Sequence, residues 1–293
     1  MSKMCNFSRT MIIRKEFIIK GQNDRPMLTD IRWKEDGTVK PLLVFVHGFK
    51  GFKDWGHFNL IADALAENGF AVLKFNFSFN GTTPEHPVDF VDLDAFGNNN
   101  YFIEFNELGK VIDYCLSDSG KDFPIHRTGV YLLGHSRGGG IALLRTAQDH
   151  RVKATVTWAS VSDFLHRDSK RSVEAWQRNE TVYTLNGRTQ QNMPLYPQFY
   201  RAIIEHSSQL DILSLIKNLS TPLLIVHGTA DQSVLFQEAE RLKKTCSKSL
   251  LIPVDGANHT FGGVHPFEGE KLPSDTVFAL EHSVRFLKAQ LIK

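Results

Sequence analysis

The sequence predicts an α/β protein: a mostly parallel sheet with helices on both faces. Three observations lead there. Short continuous apolar runs of the kind found in buried parallel strands, such as residues 42–46 and 223–226, recur along the chain. Segments with helical spacing of apolar residues lie between them. Clusters of Gly, Asn, Asp and Pro punctuate the junctions. With 293 residues, 42% of them hydrophobic, and no internal repeat, the chain can bury one large core. One domain decorated by an insertion is therefore expected.

Residues 16–20 and 28–33 read as two short strands, separated by the turn cluster Gly21-Gln22-Asn23-Asp24 and pairing antiparallel. Pro41 opens a buried strand over 42–46 that runs into His47-Gly48-Phe49. Phe58, Ile61 and Leu65 place a helix within 54–68, stopped before Gly69, and 71–75 resumes a strand. A polar loop spans 78–100. Tyr101, Phe105, Leu108, Ile112 and Cys115 mark one helical face, the strand 129–133 follows, and after a further helix 154–159 is again a strand. Between 163 and 211 the alternation breaks. Trp176, Tyr183, Met193, Tyr196, Phe199 and Tyr200 are interleaved with polar residues, Asn186-Gly187 is a hairpin signal, and Pro194 and Pro197 interrupt any long helix. This reads as an insertion over the active end of the sheet, either with a satellite core of its own or with a wall turned toward a substrate. The alternation returns with the strand 222–228, a helix over 234–244, the strand 250–254 and a closing helix over 274–287.

A formal charge of +2, with no basic run beyond pairs such as Lys170-Arg171 and Lys243-Lys244, gives no footprint for nucleic acid. Cys5, Cys115 and Cys246 are far apart, odd in number and without C-x-x-C spacing, which argues against a disulfide framework and against a zinc site. Residues 1–20 never form the apolar core of a secretory signal, and no run reaches membrane-spanning length. A cytoplasmic protein is expected, with no metal and no cofactor.

The organising stretch is Gly134-His135-Ser136-Arg137-Gly138, a G-x-S-x-G between a strand and a helix. Such a turn is tight enough to exclude side chains at the glycines, it exposes the serine hydroxyl, and it frees the N–H of Arg137 to stabilise an oxyanion. A turn that only packs closely, or that cradles a phosphate, is the competing reading. Later strand ends carry His227-Gly228-Thr229-Ala230-Asp231 and Asp255-Gly256-Ala257-Asn258-His259. Ser136, Asp231 and His259 thus follow in the chain order of an α/β-hydrolase triad.

On these motifs, together with His47-Gly48-Phe49, the chain from residue 42 onward resembles the α/β-hydrolase superfamily. It is most similar to bacterial cinnamoyl or feruloyl esterases and to dienelactone-hydrolase-like esterases. The resemblance implies an α/β-hydrolase fold with a sheet of about eight strands. Its core is 1–163 and 213–293, with a small cap insertion at 164–212. Carried over, Ser136 is the nucleophile, His259 the general base and acid, and Asp231 the residue that orients the imidazole, with an oxyanion hole from the backbone N–H groups of Phe49 and Arg137. Arg137 departs from the Gln or Met often found there. Asp163 competes as the acid and His265 as the base. His47 and His227 read as structural, His135 as pointing away from the serine, and Asp54 and the acids of 89–94 as solvated loop carboxylates.

The expected activity is cofactor-independent cleavage of a carboxylic ester through an acyl-enzyme. The resemblance and the aromatic insertion, with Tyr196, Phe199 and Tyr200 as candidate substrate contacts, imply an aromatic acyl group of the hydroxycinnamate type. A thioesterase, a peptidase, a perhydrolase side activity and a non-catalytic small-molecule binding protein stay open. The partner expected is a small-molecule ester, with no nucleic acid and no membrane; a homodimer is compatible with the sequence.

Overall fold

The computed structural model describes residues 11–291, so Cys5 and the first part of the N-terminal stretch lie outside it. Eight strands form one sheet in the order β1-β2-β4-β3-β5-β6-β9-β10. β1 (Ile12–Lys20) and β2 (Pro26–Lys34) pair antiparallel, and β2 is antiparallel to β4 (Ala71–Phe75). From β4 onward every pairing is parallel, through β3 (Lys40–Val46), β5 (Ile125–His135), β6 (Val152–Trp158), β9 (Leu223–Gly228) and β10 (Leu250–Val254). The apolar runs are strands because they are buried on both faces; Leu42, Val44, Leu132 and Ile225 face one helical layer, and Leu43, Phe45, Leu133 and Leu224 the other.

One layer holds α1 (Phe58–Glu67) and α10 (Ser274–Leu291). The other holds α3 (Tyr101–Leu116), α4 (Arg137–Gln148) and α9 (Phe236–Thr245). The chain leaves β3 for β4 on one side and later builds β5 on the other, so strand order reverses between β3 and β5. A crevice opens at such a point beyond the strands' carboxyl ends. Val46 pairs with Gly134 across it, which sets the loop after β3 beside the turn after β5.

Two expectations are corrected. The 78–100 loop contains a short helix, α2 (Leu93–Asn98), started by Asp92 accepting from the N–H of Ala95; six residues are too few for periodicity to reveal. Asp54 is not a solvated carboxylate. It bonds Lys53 Nζ at 2.6 Å and Lys74 Nζ at 2.7 Å in a buried ionic cluster that also holds Asp30 and Arg32. Burial pushes its carboxyl up, and the two ammonium charges more than offset this, holding it well below the usual carboxylate range.

Residues between β6 and β9 fold as α5 (Lys170–Gln177), the antiparallel hairpin β7 (Val182–Leu185) and β8 (Asn192–Leu195), then α6 (Gln198–Glu205), α7 (Ser207–Leu210) and α8 (Ile212–Ile216). The hairpin loop is wider than Asn186-Gly187 suggests: the N–H of Asn186 donates to Gln191 O across 186–191, and its side-chain oxygen takes the N–H of Arg188. Trp176, Met193, Phe199 and Ile203 join the main apolar core, so there is no separate satellite core. Among the described residues no helix is long and apolar enough to cross a membrane, and Cys115 and Cys246 are free and buried.

Candidate active site

Ser136 sits between β5 and α4 with φ 57° and ψ −123°, a conformation costly for a non-glycine residue, on the order of 1–3 kcal/mol. Its surroundings hold it there. Its N–H donates to Trp158 O at 2.9 Å, and its carbonyl accepts from Gly139 N at 3.0 Å. A Cβ at Gly134 would collide with the carbonyl of Gly138, and one at Gly138 with the carbonyls of Val46 and His47. The turn closes on itself only because Gly134 lacks a side chain, and passes against the end of β3 only because Gly138 does.

His259 Nε2 lies 3.0 Å from Ser136 Oγ, and His259 Nδ1 lies 2.7 Å from Asp231 Oδ2. A carboxylate only accepts, so Nδ1 carries the proton and Nε2 is left to accept from the serine hydroxyl. The other carboxylate oxygen, Asp231 Oδ1, accepts from Ser233 N at 2.8 Å and Val234 N at 2.9 Å. Burial pushes Asp231 up, but hydrogen bonds from His227 and His259 and the N–H of Val234 outweigh it, and the carboxyl is held well below its ordinary range.

Two further histidines, read from the sequence as structural (His227) and as pointing away from the serine (His135), brace the pair Asp231 and His259. His227 Nε2 lies 3.3 Å from Asp231 Oδ2 and 2.8 Å from Val234 O, bracing the carboxylate from β9. The four-residue spacing from His227 to Asp231 was the available signal. His135 turns aside from Ser136 Oγ, yet it donates from Nε2 to His259 O at 2.9 Å, with the two rings 4.9 Å apart. Burial pushes its pKa down to about 3, so it serves as a neutral donor that fixes the backbone of His259. His47 is buried, and its Nε2 accepts from Phe77 N at 3.4 Å.

The competitors lie elsewhere. Asp163 accepts from the N–H groups of Leu165 and His166 and, among the described residues, lies within 4 Å of no histidine nitrogen but that of His166. His265 Nδ1 accepts from Gly56 N at 2.8 Å and its ring packs on Phe52.

Two cavities meet at Ser136 and His259. The larger, of about 570 Å³, runs under the insertion between Phe49, Tyr101, Trp176 and Phe199. The smaller, of about 110 Å³, lies between Trp55, Phe58 and His135. Both border Phe49, whose N–H precedes a turn made by Lys50 at φ 54°, and the N–H of Arg137 opens α4, where a helix has no internal acceptor. Of Tyr196, Phe199 and Tyr200, the three aromatic residues expected to touch a substrate, only Phe199 lines the larger cavity. Tyr196 turns outward to bond Asp94 at 3.2 Å, and Tyr200 stacks on Trp176.

The fold is shared with solved esterase structures. Over 94% of this chain and 100% of the other, it resembles Est1E from Butyrivibrio proteoclasticus with ferulic acid bound, at 17% identity and a TM-score of 0.69. The esterase domain of a Rhodothermus marinus protein is similar over 94% and 98% of the two chains (18% identity, TM-score 0.63). A putative dienelactone hydrolase from Klebsiella pneumoniae is similar over 95% and 99% (15% identity, TM-score 0.60). No match is found among curated proteins. Residues 43–269 match the model of the Alpha/beta hydrolase family, and the chain belongs to that family.

Proposed function

We propose that the protein is a serine hydrolase that needs no cofactor and cleaves carboxylic esters through an acyl-enzyme. The observation that carries this reading is the unbroken relay from Ser136 Oγ through His259 to Asp231, at the junction of two cavities. Ser136 Oγ attacks the ester carbonyl carbon while its proton passes to His259 Nε2. The imidazolium so formed is balanced by Asp231, which stays ionised. The carbonyl oxygen, now an oxyanion, accepts from the N–H groups of Phe49 and Arg137. His259 returns the proton to the leaving alcohol oxygen, then takes one from the water that cleaves the acyl group from Ser136.

The leaving oxygen must face His259, and the smaller cavity opens there beside Trp55; a short alcohol suits it, and the acyl group takes the larger cavity. Walls of Phe49, Tyr101, Phe164, Trp176 and Phe199 suit a flat acyl group, as does the ferulic acid held by Est1E on the same fold.

With hydroxylamine present, methyl and ethyl esters of one aromatic acid are expected to give the same ratio of hydroxamate to free acid, because both pass through a common acyl-enzyme. Ser136→Ala is expected to abolish turnover. A ratio that changes with the alcohol, or turnover retained by Ser136→Ala, contradicts the mechanism.

A further inference from the structure

The backbone of Arg137 belongs to the turn; its side chain does something separate. The residue is only 8% exposed, yet it lines the larger cavity. Among the described residues its guanidinium makes one hydrogen bond, from Nη1 to Glu104 Oε1 at 3.3 Å. It is held in place by aromatic rings, with its central carbon 3.9 Å from the Phe49 centroid and 4.9 Å from that of Tyr101. A guanidinium presents five N–H donors in a rigid plane and does not lose its charge. Most of those donors have no protein acceptor, and none is sealed away from the cavity, so they stay open to a ligand that enters it.

The charges around it set the sign of that something. Lys50, Arg137 and Arg167 line the cavity against one carboxylate, Asp168, with Glu104 standing behind Arg137. Lys50 Nζ is already engaged by Thr184 Oγ1 at 2.9 Å and Leu185 O at 2.7 Å, and Arg167 is exposed at the rim. Burial pushes both Asp168 and Glu104 upward, which weakens them as fixed negative charges, while burial and the neighbouring Arg137 charge push Lys50 down. The buried cation with free donors is therefore Arg137, in a cavity with a surplus of positive charge.

We propose that the guanidinium of Arg137 binds a carboxylate carried by the acyl group in the larger cavity, so that the half-ester of a dicarboxylic acid is preferred over the neutral ester of the same acyl length. This inference rests on the serine esterase reading above. It makes Arg137 a specificity-determining residue: its N–H serves the oxyanion, and its side chain reads the far end of the acyl group through a fork that matches a carboxylate.

The test compares monomethyl succinate, glutarate and adipate with methyl butanoate, pentanoate and hexanoate, by methanol release. Each pair shares an acyl length and differs only in a terminal carboxylate. For the best-fitting length, the half-ester is expected to exceed its neutral partner in kcat/KM by roughly tenfold or more, the size of a charged hydrogen bond to a buried group. In Arg137→Met that ratio is expected to fall at least about tenfold, with Arg137→Lys intermediate because it keeps the charge and loses the fork. Taking the ratio within each variant cancels any disturbance of the neighbouring N–H. Arg167→Gln is expected to move the ratio by less than about threefold, as befits an exposed charge. Should Arg137→Met not fold, inhibition of the wild-type protein by free adipate against hexanoate reads the same preference. Turnover of neutral esters with no preference for any half-ester, or a ratio untouched in folded Arg137→Met, overturns the proposal and leaves the esterase standing. Failure to hydrolyse any of the six esters, with no covalent labelling of Ser136, overturns the esterase reading itself.

Discussion

At Asp231 a carboxylate stays ionised in a buried position because four groups converge on it: two histidine rings and two backbone N–H groups. Asp163, at the end of a neighbouring strand, spends its carboxylate on a local turn instead. Asp231→Asn is therefore expected to lower kcat by about 10³ to 10⁴, since an amide no longer fixes the imidazole tautomer or balances its charge. Asp163→Asn is expected to change kcat by less than about tenfold. The pair is checked by steady-state kinetics beside circular dichroism, and a larger loss in Asp163→Asn would show the acid to be misassigned. Ser136, Asp231 and His259 were legible because each lies in a short motif at a strand end. His135 and the ionic partners of Asp54 were not. His135 acts on a backbone carbonyl 124 residues away, and the environment of Asp54 depends on Lys74 of β4 and Asp30 of β2, which no local pattern joins to it.

Among the elements, α6 shows where periodicity stops short. Tyr196, Phe199 and Tyr200 are spaced to share a helical face, but Tyr196 precedes the first turn and leans on α2 and Tyr200 stacks on Trp176, so only Phe199 lines the larger cavity. Phe199 meets the ring of Tyr101 edge-on at 4.9 Å and is 1% exposed. Phe199→Ala is expected to destabilise the protein by about 3 kcal/mol or more, and to lower kcat/KM for bulky aromatic esters relative to acetate esters. Tyr196→Ala is expected to leave that ratio within about twofold, since an outward ring contributes no wall to the cavity. Thermal midpoints measured beside the ester panel separate the two effects; an equal drop for both variants would place the acyl group against a different wall. The short α2 and the wide 186–191 loop escaped the sequence for a related reason, as each is fixed by one side chain, Asp92 or Asn186, rather than by a repeated pattern.

For the molecule as a whole, the parallel strands were legible because burial on both faces writes them as continuous apolar runs, whereas the path of the insertion depends on tertiary contacts that its sequence does not repeat. One property of the whole fold follows from histidines it buries without charge. Burial lowers His47 and His57 to about 4 and His135 to about 3. Each has a folded pKa below the ordinary value of about 6.5, so on acidification the unfolded chain takes up protons first. Their contribution is complete above about pH 6.5 and is lost as pH falls toward the folded values, at up to about 1.4 kcal/mol per pH unit for each residue. The thermal midpoint is expected to drop between pH 7 and pH 5, above the range in which ordinary carboxylates protonate, with the upward-shifted Glu104, Glu107 and Asp168 opposing part of the drop. His57→Gln is expected to flatten that slope, and a midpoint independent of pH over this range would contradict neutral burial of the three rings.

The central claim is that Ser136 Oγ is a nucleophile activated by His259. It is tested most directly by incubating the protein with a fluorophosphonate and locating the adduct by mass spectrometry of peptides. The expected result is one covalent phosphonate per chain on Ser136, formed slowly or not at all in His259→Ala and absent in Ser136→Ala. A folded wild-type protein that stays unlabelled, or one labelled at another residue with Ser136 untouched, would contradict it.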